Sequence, residues 1–120
     1  MQYLLLIYTD EAQAMKMSPA DQEALMGAYW KFEESLQSKP GVRIAGEALH
    51  PVATAKTVRE RNGSAVTTDG PFAETKEQLG GFYLLDVKDE AEALEYAKQI
   101  PNVKDGSIEV RAVMVFEQPG

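Results

Sequence analysis

The stretch Gln2-Tyr3-Leu4-Leu5-Leu6-Ile7-Tyr8-Thr9 is almost continuous in apolar side chains. A strand with one face in water alternates apolar and polar residues, whereas a strand covered on both faces is apolar throughout. We therefore predict a central β-strand over residues 2–9 that is covered on both faces.

Helix signals mark two segments of the chain. Ser18 can cap a helix whose first position is Pro19, and Pro40-Gly41 ends the pattern. Asp89 with Glu92 three residues later forms the pattern of a capping box, and Pro101 ends that second helix. From their spacing, we predict that Leu25, Tyr29, Phe32 and Leu36 form the buried face of the first helix and that Leu94, Ala97 and Ile100 form that of the second.

Three further segments have the character of sheet strands. They span residues 42–49, 79–87 and 107–116, and Gly46 in the first of them marks a bulge or a close backbone approach. In the last strand the alternation predicts that one face carries Ile108, Val110, Ala112, Met114 and Phe116.

A β-hairpin is predicted between the strands at residues 42–49 and 79–87. Residues 54–61 and 64–68 are rich in β-branched side chains, and Asn62-Gly63 between them is a strong signal for a type I′ turn. The charged segment 69–78 begins with turn residues, so we expect an exposed loop or a short helical turn there.

Without the hairpin, the predicted order is strand, helix, strand, strand, helix, strand. This is the split βαβ arrangement of ferredoxin-like α+β domains, with two helices on one face of an antiparallel sheet. We predict one such domain over residues 1–120. Because the second face of the sheet is then bare although its central strands are apolar, we expect a homodimer in which a second copy covers that face.

Composition and charge limit the kinds of chemistry and partner. The chain has 120 residues, no cysteine, one histidine and a formal net charge of −7. The lack of cysteine excludes disulfides, thiolate nucleophiles and sulfur-ligated metal sites, and the negative charge disfavours nucleic acid. Because the first residues resemble neither a signal peptide nor a membrane span, we expect a cytoplasmic protein with no membrane contact. The sequence has no cofactor fingerprint, and no two candidate ligands have the spacing of a metal site that would join His50 to carboxylates, so we expect neither a cofactor nor a metal.

The most specific motif is Asp69-Gly70-Pro71-Phe72-Ala73-Glu74-Thr75-Lys76-Glu77, followed by Leu-Gly-Gly-Phe-Tyr at 79–83. In this motif, and in residues 45–49, 92–97 and 106–111, the chain resembles the DGPF branch of the YCII-related family. The resemblance implies a dimeric α/β-barrel, in which two ferredoxin-like sheets face one another and enclose a cleft.

The resemblance also carries implications for function. YCII-related proteins are suspected of enzymatic activity because some hold a His–Asp pair in the cleft, and a few relatives are linked to small-molecule turnover such as dehalogenation. Their histidine lies in a Pro-x-His stretch that opens the first helix, where this chain has Pro19-Ala20-Asp21 instead. DGPF members are often encoded beside alternative sigma factors, which points to a protein partner in transcription regulation.

Three residues are candidates for proton transfer in such a cleft. Asp69 can serve as a general acid or base, or it can accept backbone N–H bonds that form the turn. His50 can carry a proton near the loop, or it can be an ordinary surface histidine. Glu77 can act beside them, or it can belong to a solvated run of charges.

Four residues are candidates for contact with a ligand. Arg59 can clamp a carboxylate or phosphate, or pair across strands. Lys76 can bind a polar ligand or stay solvated, and Phe72 and Tyr83 can line a cleft or pack in the core. These assignments leave two hypotheses. The first is a small-molecule enzyme with an acid–base cleft at residues 69–77, here called the DGPF loop. The second is a non-catalytic ligand-binding or accessory module associated with a sigma-factor-type regulator.

Overall fold

A computed structural model describes residues 1–118 of the chain. It contains a four-stranded sheet, a separate two-stranded hairpin and three helices. Two short 3-10 turns, Val52–Thr54 and Pro101–Lys104, join these elements. The strands are β1 Gln2–Thr9, β2 Arg43–Ala48, β3 Lys56–Arg61, β4 Ser64–Asp69, β5 Gln78–Asp86 and β6 Ser107–Ala112, and the helices are α1 Glu11–Ala14, α2 Pro19–Gln37 and α3 Glu90–Ala97.

The four-stranded sheet has the order β2-β5-β1-β6, and every neighbouring pair is antiparallel. The strand predicted over residues 2–9 is confirmed, and it lies in the interior of the sheet between β5 and β6. This order is compatible with the predicted ferredoxin-like arrangement, because β1 and β2 run parallel with β5 between them.

The hydrophobic core lies between the sheet and the helices. Alternate residues of each central strand face the helices, since successive side chains of a strand point to opposite faces. Four side chains at its centre, Leu5, Leu36, Leu85 and Ile100, are fully buried. The full set of buried apolar residues is Tyr3, Leu5, Ile7, Phe32, Leu36, Tyr83, Leu85, Val87, Ala93, Tyr96, Ala97 and Ile100.

Both predicted helix starts are confirmed. The Ser18 hydroxyl accepts a hydrogen bond from the backbone N–H of Asp21 at 3.1 Å, and Pro19 occupies the first helical turn. The Asp89 carboxylate accepts one from the N–H of Glu92 at 3.0 Å. Such caps satisfy backbone donors that lack a partner within the helix.

The face of the sheet opposite the helices is open. Leu4 and Leu6 of β1 lie beside Leu84 and Phe82 of β5, and all four are only half-buried. The chain measures 18 Å along its thinnest direction, which corresponds to one sheet and one layer of helices. Within residues 1–118, no helix is long and apolar enough to span a membrane.

The predicted hairpin is confirmed and stands apart from the core. Its strands β3 and β4 pair with each other in a separate sheet, and all of β4 is exposed. Asn62 and Gly63 both have positive φ, 53° and 78°, as a type I′ turn requires. At its base, the Glu11 carboxylate accepts a bond from the N–H of Val52 at 3.2 Å.

Three details of the predicted elements are wrong. The last strand ends at Ala112 rather than at 116, because β1 begins at Gln2, whose carbonyl accepts the last bond, from the N–H of Val113. Met114 and Phe116, predicted on the same strand face as Ile108 and Val110, lie beyond the strand and are exposed, at 73% and 76%. Two smaller differences concern helices: Leu94 is exposed while Ala93 and Tyr96 are buried, and the short helix Glu11–Ala14 was not predicted.

Candidate functional site

A cavity of about 560 Å³ lies between α2 and the sheet, on the helix side. Its walls are mostly apolar, with a few polar groups, which is the usual composition of a small-molecule site. The residues that line it include Gln22, Leu25, Met26, Tyr29, Trp30 and Glu33 from α2, and Ile7, Thr9, Gly46, Ala48, Gly81 and Tyr83 from the sheet.

The cavity exists because small residues occupy helix-facing positions in neighbouring strands. Gly46 of β2 pairs with Tyr83 of β5, and Ala48 pairs with Gly81. A Cβ atom on Gly46 would lie 2.7 Å from Cδ1 of Tyr83, so only glycine lets the tyrosine ring approach β2. With little side-chain volume at these positions, α2 cannot fill the space above them.

A polar cluster forms one part of the cavity wall. The Arg43 guanidinium donates from Nε to Oε2 of Glu33 at 2.9 Å and from Nη2 to the Gly46 carbonyl at 3.3 Å. The Glu33 side chain is only 19% exposed, so this ion pair is partly shielded from water. Burial, followed by the charge and hydrogen bonding of Glu33, raises the pKa of Tyr83 well above its usual range, so Tyr83 stays a neutral phenol.

A second hydrogen-bonded chain runs from the cavity toward the surface. The Tyr29 hydroxyl donates to Oδ1 of Asn102 at 2.5 Å, and Nδ2 of Asn102 donates to Asp105 at 3.0 Å. Burial raises the pKa of Tyr29 to about 12. Tyr29 is therefore protonated at neutral pH, and its oxygen keeps lone pairs for a further partner.

A comparison with models of known protein families identifies the family of this chain. A model of the YCII-related domain matches residues 1–117. The chain belongs to the YCII-related family. An uncharacterised protein of Rhizobium meliloti (strain 1021) is 36% identical over 126 aligned positions, which cover all of this chain and 97% of that protein. Neither of these two descriptions names an activity, so we infer the function from the geometry of the domain.

The three residues predicted to transfer protons have separate surroundings in this YCII-related domain. Asp69, at the end of β4, forms an ion pair with Lys56, and its side chain is 86% exposed. His50 is exposed after β2, and Oε1 of Glu77 accepts a bond from the Ser107 hydroxyl at 2.7 Å. Across residues 1–118, no hydrogen bond joins any two of Asp69, His50 and Glu77.

The predicted ligand contacts fall into two groups. Arg59 donates from Nη2 to the carbonyl of Phe72 at 3.2 Å, so it holds the DGPF loop against the hairpin. The Phe72 ring is 78% exposed, and Lys76 is exposed as well. Tyr83 differs from these three, because it is buried and lines the cavity.

Sequence reasoning missed most of the cavity. Met26, Tyr29, Trp30 and Glu33 have the i, i+3, i+4, i+7 spacing of one helix face, and they line the cavity together. Glu33 places a carboxylate on that otherwise apolar or aromatic helix face. This break in the apolar pattern was the sequence signal that could have indicated a binding site. No group of three or more His, Cys, Asp or Glu side chains in the described part of the chain could hold a metal ion.

Proposed function

We propose that this YCII-related protein binds a small organic molecule with a largely apolar body in the cavity between α2 and the sheet. The supporting observation is the cavity itself, since 560 Å³ lies within the range of about 300–1,000 Å³ that is typical of ligand sites. Leu25 and Met26 would contact the apolar body, and Glu33 and Tyr29 would orient its polar end.

This proposal places the ligand away from the DGPF loop. A general acid or base must reach its substrate, and neighbouring groups usually exclude water from it. Asp69 is solvent-exposed and ion-paired, which favours a role of this motif in shaping the loop and hairpin. The motif at residues 69–77 also supports placement of the chain in the DGPF branch of its family.

The binding proposal can be tested with 2-phenylethanol, a small neutral aromatic alcohol. Titration followed by two-dimensional NMR should shift the backbone amides of Gly46 and Gly81 and the indole N–H of Trp30, the sole tryptophan of the chain. Shifts confined to residues 69–77 would contradict the proposal.

A matched pair of variants sharpens this test. Gly80 lines the cavity, and a Cβ there would meet nothing nearer than 3.9 Å, so the Cβ of Gly80→Val fits without a clash and its two methyl groups take up space beside it. We expect Gly80→Val to weaken binding of the probe. Gly27→Ala, on α2 but outside the cavity lining, should leave binding unchanged, because an added Cβ there contacts nothing within 4 Å.

We also propose that a second copy covers the open face of the sheet and completes a dimeric α/β-barrel. Leu4, Leu6, Phe82 and Leu84 form an apolar patch there that stays half-buried in the single chain. Analytical ultracentrifugation should therefore give a dimer, and Leu84→Glu should give monomers. Val66→Glu, on the exposed hairpin, is the control and should remain dimeric.

A further inference from the structure

The polar end of the cavity offers several hydrogen-bond acceptors. Tyr29 uses its hydroxyl proton on Asn102, so its oxygen keeps only lone pairs, and the oxygen of the neutral Tyr83 phenol can accept a hydrogen bond as well. Glu33 itself carries no proton to donate when it is ionised. A ligand that satisfies this end must therefore bring donors of its own.

The charged residues that line the cavity restrict the charge of the ligand. Of the Asp, Glu, Lys, Arg and His side chains in the described part of the chain, only the carboxylates Glu33 and Glu47 line the cavity. Arg43 lies nearby, but its guanidinium is committed to Glu33 and to the Gly46 carbonyl, and it stands 5.8 Å from the centre of the Tyr83 ring. An anionic ligand would thus find no free cation.

Aromatic rings in the cavity wall, like its acceptors and its charge, indicate the kind of ligand that it binds. Tyr29, Trp30 and Tyr83 all line the cavity, and aromatic faces attract organic cations through their quadrupoles. Trp30 is 63% exposed, so its ring lies where the cavity opens to solvent. Rings, acceptors and a carboxylate together favour a positively charged group on an apolar body.

We infer that the ligand is a primary amine in its protonated form, attached to an aromatic or aliphatic body, with the ammonium group at Glu33, Tyr29 and Tyr83. The inference rests on the proposed function. An ammonium group has three N–H donors, which matches the three acceptors, and it would share the Glu33 carboxylate with Arg43. Leu25 and Met26 would pack against the apolar body.

The test compares three probes of similar shape on the unmodified protein at pH 7. They are protonated 2-phenylethylamine, neutral 2-phenylethanol and anionic 3-phenylpropanoate, and binding is measured by Trp30 fluorescence and by NMR. We expect the amine to bind at least about tenfold more tightly than the alcohol, and the carboxylate to bind weakest. Equal or tighter binding of the alcohol or the carboxylate overturns the amine assignment but leaves the binding function intact. Failure of all three probes to bind overturns both.

A charge-removing variant tests the role of Glu33 directly. Glu33→Gln keeps the shape but removes the charge, so the preference for amine over alcohol should fall from about tenfold toward onefold. Glu34→Gln, which changes an exposed neighbour on α2, should retain the full preference. An unchanged preference in Glu33→Gln overturns the assignment. If Glu33→Gln does not fold, the three-probe comparison still decides.

Discussion

Gly46 provides a direct test of how the cavity wall is built. In Gly46→Ala, the new Cβ would lie 2.7 Å from Cδ1 of Tyr83 and 3.0 Å from Nη2 of Arg43. The Tyr83 ring cannot easily move away, because it is buried and packs edge-on against Phe32 with 5.1 Å between ring centres. Overpacking of this kind costs about 1–3 kcal/mol.

The expected change in melting temperature follows from chain length. Unfolding entropies of about 2.1 cal/mol/K per residue imply that 1 kcal/mol shifts the Tm of a chain of 120 residues by about 4 °C. Gly46→Ala should therefore lower the Tm by about 4–12 °C. Thermal unfolding followed by circular dichroism would measure this shift.

Gly27→Ala is the matched control, because it makes the same change in the exposed interior of α2. An added Cβ at Gly27 contacts nothing within 4 Å, and alanine stabilises a helix relative to glycine by about 0.5–1 kcal/mol. The Tm should rise by about 2–4 °C. A Gly46→Ala variant as stable as the unmodified chain would refute the close packing of Tyr83 on β2.

Three further substitutions give distinct expected outcomes. The hydroxyl of Tyr96 is buried without a hydrogen-bond partner within residues 1–118, so Tyr96→Phe should raise the free energy of unfolding by about 1 kcal/mol in urea titrations. Burial raises the pKa of Tyr29 from its ordinary value of 10.0 to about 12. The unfolded chain therefore loses this proton first, and the stability contributed by neutral Tyr29 is complete below about pH 10 and lost between about pH 10 and pH 12. Tyr29→Phe should flatten that alkaline decline. Gly63→Ala places a side chain at φ 78°, which costs about 1–2 kcal/mol, and it should weaken the cross-strand NOEs of β3–β4 while the main thermal transition is unchanged.

Each of these expectations has an opposite result that would count against it. A less stable Tyr96→Phe would mean that the hydroxyl has a partner in solution. An alkaline decline of equal slope in Tyr29→Phe would assign that decline to other groups. A lower main transition in Gly63→Ala would show that the hairpin is coupled to the core.

The parts of the fold that could be predicted are those with local signals. The extent of β1 follows from an uninterrupted apolar run, and the helix starts follow from Ser18 and Asp89, whose side chains bond to backbone groups three residues away. The type I′ turn follows from Asn62-Gly63, because few residues other than glycine and asparagine accept positive φ. In each case the cause lies within a few residues.

The parts that could not be predicted depend on distant partners. The end of β6 is set by where β1 begins, more than 100 residues earlier in the chain. The Glu33–Arg43 pair joins α2 to β2 across ten positions, and the cavity depends on small residues in two strands that are neighbours only in the folded sheet. Tyr83 shows the limit clearly: core packing and cleft lining were alternatives in the sequence, and in the structure it does both.

The separation of the β3–β4 hairpin from the core affects how the chain opens and how its sequence can change. An element that packs mainly on itself opens with a small local free energy, because few buried contacts are lost. Its amide protons should therefore exchange with solvent long before those of β1 and β5, which form the last cooperative unit to open. Substitutions in the hairpin would leave the free energy of global unfolding nearly constant. This segment can thus diverge among relatives to suit new contacts while the sheet beneath the cavity stays intact.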